Sequence, residues 1–306
     1  MAEGTHSVLA GLIGAGIQGS LSPALHEHEA EHHGLRLVYR LIDIDELGLG
    51  PDRTPDLLAE ALRMGYSGLN ITHPCKQAVL DHLDELSPEA DAIGAVNTVV
   101  FDGVRGAGGM RAIGHNTDWA GFARGLTHGL PGAGLGEVVL VGAGGAGAAV
   151  AYALLNLGVE RLTVADVDPR RAELLARKMD GRFGGSRVHA GLTSDLAALI
   201  SRADGVVNAT PIGMAAHPGV PFSPRLLRSG QWVADLIYAP AETRLLHEAA
   251  KLGCRTINGG GMLVHQAAEA FGHFTGLRAD AERMLAHYLS RTARPRALTL
   301  SSPGYR

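Results

Sequence analysis

The sequence predicts an α/β protein built from two domains and a pair of C-terminal helices. Its 306 residues suffice for two domains of ordinary size, and apolar runs typical of buried strands alternate with helical segments. A glycine loop, Gly142-x-Gly144-x-x-Gly147, lies between a strand and a helix, as in a Rossmann dinucleotide-binding unit. Four segments follow: an α/β domain at 1–117, a Rossmann domain at 118–259, helices at 260–290 that pack back on the first domain, and a mobile tail at 291–306.

The first domain is expected to alternate strands and helices. Its strands are predicted at 8–13, 37–42, 68–71 and 96–101. Its helices are predicted after Pro23, at 57–64 and at 74–86, and a hairpin turn is predicted at 103–109. Proline at the first position of the third helix places Lys76 in that helix's first turn.

The second domain has the full context of a dinucleotide site. Its strands are predicted at 137–141, 161–165, 205–208 and 232–236, and its helices at 118–126 and 146–157, with the final helices at 262–274 and 280–289. The strand at 161–165 leads to Asp166, which stands 19 residues after Gly147. A carboxylate at this distance accepts hydrogen bonds from the ribose hydroxyls of a dinucleotide.

The same glycine signature occurs earlier, as Gly14-x-Gly16-x-x-Gly19, but its context differs. Ser22 and Pro23 are predicted as the N-cap and first position of the next helix, so that helix starts too late to face a pyrophosphate. The nearest acid after a second strand is Asp43, 24 residues past Gly19. We predict a loop that offers the Ser20 and Ser22 hydroxyls to another ligand; the alternative is a capped loop with no ligand.

Composition narrows the possible partners and the compartment. The formal net charge is -4 and no basic stripe stands out, which argues against nucleic acid or an anionic membrane as the main partner. No apolar run reaches membrane-spanning length, and the first residues lack the pattern of a signal peptide, so a cytoplasmic protein is expected. Two cysteines, Cys75 and Cys254, indicate a reducing compartment without a disulfide framework.

One motif suggests a metal site that its context does not support. His28-Glu29-x-x-His32 matches the zinc signature in which two histidines one turn apart bind the ion and a glutamate activates water. The sequence places no third ligand nearby, and the flanking residues are polar all round. We predict an exposed helix face and no metal.

A nicotinamide dinucleotide in the Gly142 loop would imply hydride transfer, and an alcohol substrate would also need a base. The chain has no Tyr-x-x-x-Lys motif, and two cysteines are too few for a zinc alcohol dehydrogenase with its structural metal. Lys76 is the best candidate, since a helix N-terminus and partial burial favour the neutral amine, whereas pairing with Asp118 would oppose this. The alternative is an exposed lysine without a role.

Several motifs in order resemble the shikimate dehydrogenase family. They cover nearly the whole chain: Ser20-Leu-Ser22-Pro23, Gly68-Leu-Asn70-Ile-Thr72-His-Pro74-Cys-Lys76, Gly94-Ala-Val-Asn97-Thr98, Asn116-Thr117-Asp118, Asn208-Ala-Thr-Pro-Ile-Gly213 and Gly261-Met-Leu-Val-His-Gln266. The resemblance implies oxidation of the ring hydroxyl of shikimate to give 3-dehydroshikimate, or the reverse reaction. It also implies that the substrate is a small hydroxylated cyclohexane or cyclohexene carboxylate.

The resemblance also implies a role for each matching residue. Lys76 and Asp118 would form the catalytic pair, while Ser20 and Ser22 would hold the substrate carboxylate. The remaining substrate residues would be Thr72, Asn97 and Gln266 at the ring hydroxyls and Tyr238 lining the cleft. The cofactor residues would be Gly142, Gly144, Gly145, Gly147, Asp166, Asn208, Thr210 and Gly261.

Three departures from the family bear on cofactor and substrate. NADP-dependent members usually carry Asn-Arg-Thr where this chain has Asp166-Val-Asp168, so we predict NAD rather than NADP, although Arg170 or Arg171 could reach a phosphate. The loop thereby resembles the NAD-dependent quinate/shikimate branch, and Ser22 in place of threonine favours shikimate. Trp119, where a small residue is common, leaves open an aminated shikimate analogue. The motifs also fit an NADP-dependent biosynthetic enzyme, a cofactor sensor or a cyclitol-binding protein, and either a monomer or a homodimer.

Overall fold

The computed structural model describes residues 7–103 and 109–293. Its first part forms a six-stranded sheet with helices around it. The elements are β1 (Ser7–Gly14), α1 (Ser22–His32), β2 (Arg36–Asp43), α2 (Thr54–Met64), β3 (Gly68–Ile71), α3 (Cys75–Ala78), β4 (Glu85–Leu86), α4 (Pro88–Ile93), β5 (Thr98–Asp102) and β6 (Arg111–His115). The strand order is β2-β1-β3-β5-β6-β4, in which β5 runs antiparallel to both neighbours and the other pairs are parallel.

The second part forms another six-stranded sheet, and all of its strands are parallel. A connecting helix, α5 (Asp118–Gly129), leads into it. The elements are β7 (Glu137–Val141), α6 (Gly145–Asn156), β8 (Arg161–Ala165), α7 (Pro169–Phe183), β9 (Val188–Gly191), α8 (Leu196–Arg202), β10 (Gly205–Asn208), β11 (Trp232–Asp235), α9 (Arg244–Lys251) and β12 (Arg255–Asn258), followed by α10 (Gly260–Thr275) and α11 (Ala281–Thr292). The order β12-β11-β10-β7-β8-β9 is that of a Rossmann fold.

The Rossmann order places two loops at the centre of the sheet edge. The strand sequence reverses between β7 and β10, whose last residues, Val141 and Asn208, lie opposite each other. Ligands bind in the crevice that such a reversal leaves at the carboxyl ends of the strands. The predicted α/β and Rossmann architecture is thus confirmed.

The C-terminal helices return to the first domain, as predicted. Gly121 of α5 allows α10 to approach closely, because a Cβ at that position would lie only 2.7 Å from the carbonyl oxygen of Met262. Phe271 and Phe274 of α10 join the apolar cluster that covers β1 and β2. Helix α11 extends to Thr292, beyond the predicted end, and 294–306 lie outside the described residues.

Three local predictions are wrong. The helix predicted at 74–86 ends at Ala78, because Leu86 instead pairs with Gly114 of β6 in a short parallel strand. Ser22 is the first residue of α1 rather than its N-cap. The exposed helix face predicted for α1 is also wrong at Glu29, because this side chain is fully buried. It accepts hydrogen bonds of 2.9 and 2.7 Å from Arg283 of α11.

The zinc-like motif on α1 has no geometry of a metal site. The rings of His28 and His32 meet edge to face with centroids 4.9 Å apart, and the Glu29 carboxylate forms an ion pair with Arg283. Within 7–103 and 109–293 no cluster of three ligating side chains could hold an ion. Within the same ranges no helix has the length and apolarity needed to cross a bilayer. The loop predicted as a hairpin at 103–109 falls largely on 104–108, outside the described residues, although β5 and β6 pair antiparallel on either side of it.

Candidate active site

Lys76 and Asp118 form an ion pair where the two parts of the chain meet. Lys76 lies on α3 after β3, Asp118 is the first residue of α5, and the Lys76 ammonium donates to Asp118 Oδ2. Their side chains are 17% and 8% exposed, so water only partly screens the pair. Helix α3 has only four residues, and therefore the dipole of a long helix does not act on Lys76.

Asn97 fixes the orientation of the Asp118 carboxylate. Its amide nitrogen donates to Asp118 Oδ1 at 3.0 Å and to the Thr117 hydroxyl at 2.9 Å, while its amide oxygen accepts from the Thr117 backbone at 2.7 Å. All three residues are buried. With one oxygen on Asn97 and the other on Lys76, Asp118 has little rotational freedom.

The serine pair follows β1 at the same end of its sheet. The Ser20 hydroxyl donates to Ser22 Oγ at 3.2 Å and accepts from the Ser22 backbone at the same distance. The two serine side chains are thus held next to each other.

The other predicted substrate residues come from three separate elements. Gln266, in the second turn of α10, accepts at 3.4 Å from the same Thr117 hydroxyl that contacts Asn97. Thr72 follows β3 and its side chain lies against Gly14 of the first glycine loop. Tyr238 follows β11, where burial raises the pKa of its phenol.

Two polar residues without a predicted role continue the hydrogen-bonded network around Asn97. Thr98 donates to the Asn97 amide oxygen at 3.0 Å, and Asn70 donates to the Thr98 hydroxyl at 3.0 Å. They face each other across β3 and β5 and are buried. The sequence signal that points to them is a polar side chain inside an otherwise apolar strand.

The second glycine loop, predicted to bind the cofactor, follows β7 and borders Lys76. Gly142 has a φ of +107°, and a Cβ at Gly147 would collide with the Gly142 carbonyl, so both positions require glycine. A Cβ at Gly144 would meet no atom within 4 Å, which leaves open space before the N-terminus of α6. A Cβ at Gly145 would lie 3.7 Å from Lys76 Cδ. The space fits a pyrophosphate, and the loop borders Lys76.

Asp166 is anchored to the cofactor loop. Its carboxylate accepts from the backbone of Ala143 at 2.7 Å and from that of Asp168 at 2.9 Å. The next residue, Val167, is 88% exposed. The negative charge is therefore held beside the loop, where a ribose would lie.

Asn208 and Thr210 shape the facing loop after β10. Asn208 is fully buried and accepts from the Thr210 hydroxyl at 2.7 Å, while its nitrogen donates to Asp235 at 2.9 Å. The Asn208 amide is thus engaged inside the protein, where it fixes the loop after β10. Burial raises the pKa of Asp235, and the hydrogen bonds from Thr243, Ile237 and Asn208 oppose that rise. Gly261, in the first turn of α10, packs against Gly125 of α5.

Models of three parts of one family match the chain. They are the shikimate dehydrogenase substrate-binding domain at 12–99, the shikimate/quinate 5-dehydrogenase domain at 132–215 and the shikimate 5'-dehydrogenase C-terminal domain at 259–287. The chain belongs to the shikimate dehydrogenase family. The resemblance predicted from its motifs is confirmed, and the protein is an oxidoreductase of this family that uses a nicotinamide dinucleotide.

The relatives of this family member divide by cofactor. The chain is 56% identical to a shikimate dehydrogenase (NADP(+)) of Streptomyces avermitilis over 92% of its length and 94% of that protein. It is 51% identical to a quinate/shikimate dehydrogenase (NAD(+)) of Corynebacterium efficiens over 93% and 98%. The quinate dehydrogenase from Corynebacterium glutamicum in complex with NAD has a similar structure, with a TM-score of 0.85, 49% identity and coverage of 93% and 99%.

Proposed function

We propose that the protein oxidises the ring hydroxyl of shikimate with NAD, catalyses the reverse reduction, and also accepts quinate. The observation that carries the proposal is the Lys76–Asp118 pair, held by Asn97 and bordered by the cofactor loop at Gly145. The glycine loop at Gly142 to Gly147 would hold NAD, which would supply the hydride acceptor for the oxidation. The serine pair and the buried amides supply the polar contacts that a hydroxylated ring carboxylate needs.

Lys76 accepts the proton of the ring hydroxyl in one direction and donates it in the other. In the oxidation its neutral amine takes this proton as the carbinol becomes a ketone, and in the reduction its ammonium returns the proton. Asp118 stabilises the ammonium in both directions, since its carboxylate contacts Lys76 Nζ. Ser20 and Ser22 donate hydrogen bonds to the substrate carboxylate and so orient the ring.

The charge around the ribose favours NAD over NADP. The Asp166 carboxylate accepts a hydrogen bond from a free 2′-hydroxyl and repels a 2′-phosphate. Arg171, one of the two arginines that could reach a phosphate, lies 3.8 Å from Asp168, which offsets its charge. The exposed Val167 stands where NADP-dependent members usually carry the phosphate-binding arginine.

Trp119 offers no support for an aminated substrate. Its ring packs edge to face on Tyr152 of α6, with centroids 5.3 Å apart, in the core of the second domain. The indole is thus used for packing between α5 and α6. Shikimate and quinate remain the substrates to which the serine pair points.

Steady-state kinetics with shikimate or quinate and NAD or NADP tests the proposal. We expect the highest kcat/KM with shikimate and NAD, and turnover with NADP alone would contradict the cofactor assignment. Binding of both ligands without turnover would instead indicate a sensor or cyclitol-binding protein.

Lys76→Ala tests the role of the amine. We expect kcat to fall about 100-fold to 10,000-fold while calorimetry still detects shikimate binding, because the lost group acts on a proton in the transition state. Lys251→Ala, at an exposed position on α9, is the matched control and should keep full turnover. Unchanged kcat in Lys76→Ala would remove this lysine from the mechanism.

A further inference from the structure

Tyr39 is a buried phenol near the site that no part of the proposed mechanism uses. It lies on β2 and is 4% exposed. Across the sheet, Tyr39 pairs with Ala10 of β1, and Ala10 pairs with Gly68 of β3. The Tyr39 hydroxyl reaches Asn70 on β3.

The Tyr39 hydroxyl is the far end of a directed chain of hydrogen bonds. It donates to the Asn70 amide oxygen at 2.6 Å. From there Asn70 donates to Thr98, Thr98 to Asn97 and Asn97 to Asp118, at 3.0 Å in each case. Every donor in this series points toward the carboxylate that contacts Lys76. In a buried network such bonds polarise and orient one another.

The same phenol adjoins the serine pair. Burial raises its pKa, and a hydrogen bond with Ser22 opposes that rise. His26, one turn after Ser22 on α1, stacks on the Tyr39 ring with centroids 4.7 Å apart and planes 20° apart. Phe274 of α10 packs on the His26 ring in turn, at 5.7 Å. The phenol is held between the residue that would bind the substrate carboxylate and the chain that leads to Asp118.

We propose that Tyr39 is a positioning residue that fixes the Asn70 amide, and so sets the substrate geometry relative to Asp118. The inference rests on the proposed function. Without the Tyr39 hydroxyl, the Asn70 oxygen loses its donor inside the protein, and the amide is free to rotate. Orientation of the substrate then suffers, whereas the cofactor loop, on the other sheet, is untouched.

Tyr39→Phe tests this role. We expect the KM for shikimate to rise about tenfold and kcat to fall less, with the Kd for NAD unchanged, since a tenfold change corresponds to about 1.4 kcal/mol. Tyr66→Phe is the matched control, because it also removes a buried phenol hydroxyl from the first domain but lies outside the chain to Asp118. An equal effect of both variants would indicate general destabilisation and overturn the inference.

A double-mutant cycle with Asn70→Ala separates positioning from simple packing. If Tyr39 acts through Asn70, the double variant has the KM of Asn70→Ala alone, whereas independent effects would multiply. Multiplying effects, or a shikimate KM in Tyr39→Phe equal to that of the unchanged protein, overturn the inference. Absence of shikimate turnover in the unchanged protein would contradict the proposed function instead, and calorimetric binding of shikimate would then replace KM in the cycle.

Discussion

The two glycine loops of this chain have the same signature but differ in what occupies them. Each follows a strand inside a sheet, and in each case an aspartate after the next strand returns to the loop. Asp43 accepts from the backbone of Gly16 and Ile17, at 2.9 Å each, and thus occupies the place of an anion. Asp166 accepts from one loop residue, Ala143, and leaves the N-terminus of α6 facing open space. The Asp43 carboxylate therefore takes up backbone donors of the first loop that an anionic ligand would otherwise use.

The helices after the loops differ in the same sense. Helix α6 starts at Gly145, within the signature, and buries an apolar face of alanine, valine and leucine. Helix α1 starts at Ser22, beyond the signature, and buries Ser22, His26 and Glu29. In the proposed function, the first loop therefore leads to the polar residues that would bind the substrate, while the second would present a helix N-terminus to the cofactor.

Among the glycine substitutions in the two loops, Gly147→Ala is expected to have the largest effect on NAD affinity. The new Cβ would collide with the Gly142 carbonyl, so we expect NAD affinity to fall about 1,000-fold, about 4 kcal/mol, in calorimetric titration. Gly144→Ala should weaken NAD binding without lowering the unfolding temperature, because its Cβ points into the cofactor space. Gly16→Ala, in the first loop, should leave the NAD Kd unchanged. Equal NAD binding in all three variants would mean that neither loop holds the cofactor.

Asp43→Asn tests whether the first loop depends on its internal anion. We expect the free energy of unfolding, measured with urea, to fall by about 3 kcal/mol, because backbone donors of the loop lose a charged acceptor. The shikimate KM should rise as Ser20 and Ser22 shift, while the Kd for NAD stays constant. The control is Asp45→Asn, whose carboxylate is exposed. A stability equal to that of the unchanged protein would show that Asp43 does not hold the loop.

Asp166→Asn tests the corresponding acid of the second loop. Removing the charge should lower the ratio of kcat/KM for NAD over NADP about 30-fold, about 2 kcal/mol, because repulsion of the 2′-phosphate is lost. Asp168→Asn should change this ratio less, since Asp168 caps α7 by accepting from the Arg170 backbone. If the ratio does not move, Asp166 does not select the cofactor.

The smallest expected effect is a pH dependence of stability that arises from His26 on the buried polar face of α1. Burial lowers the pKa of His26 from 6.5 to about 3, so below pH 6.5 the unfolded chain binds a proton that the folded protein does not. The folded state thus loses stability as pH falls from 6.5 toward 3. When the pH is lowered from 7.5 to 5.5, the free energy of unfolding, measured with urea, should fall about 1.4 kcal/mol less in His26→Phe than in the unchanged protein. His82→Gln, at an exposed position, is the control, and the same loss in His26→Phe would refute the assignment.

Predictions that depended on local patterns agree with the structure better than those that depended on partners. The strand before Gly142, the helix after it and the position of Asp166 were predictable because turn geometry and apolar runs are local. The helix predicted at 74–86 was not, because its second half pairs with β6, far along the chain. The contact of Tyr39 with Asn70 was not predictable either, because it depends on the pairing of β2 with β1 and of β1 with β3.

The sequence by itself determined the α/β class and the Rossmann order of the second domain, and it predicted which loop binds the cofactor. Each follows from the spacing of apolar, glycine and acidic residues within a short segment. Only the tertiary structure decided that Asp43 fills the first loop and that Asn97 fixes the Asp118 carboxylate, 21 residues away along the chain. Such contacts form between residues brought together by sheet order and helix packing, and no local pattern encodes that distance.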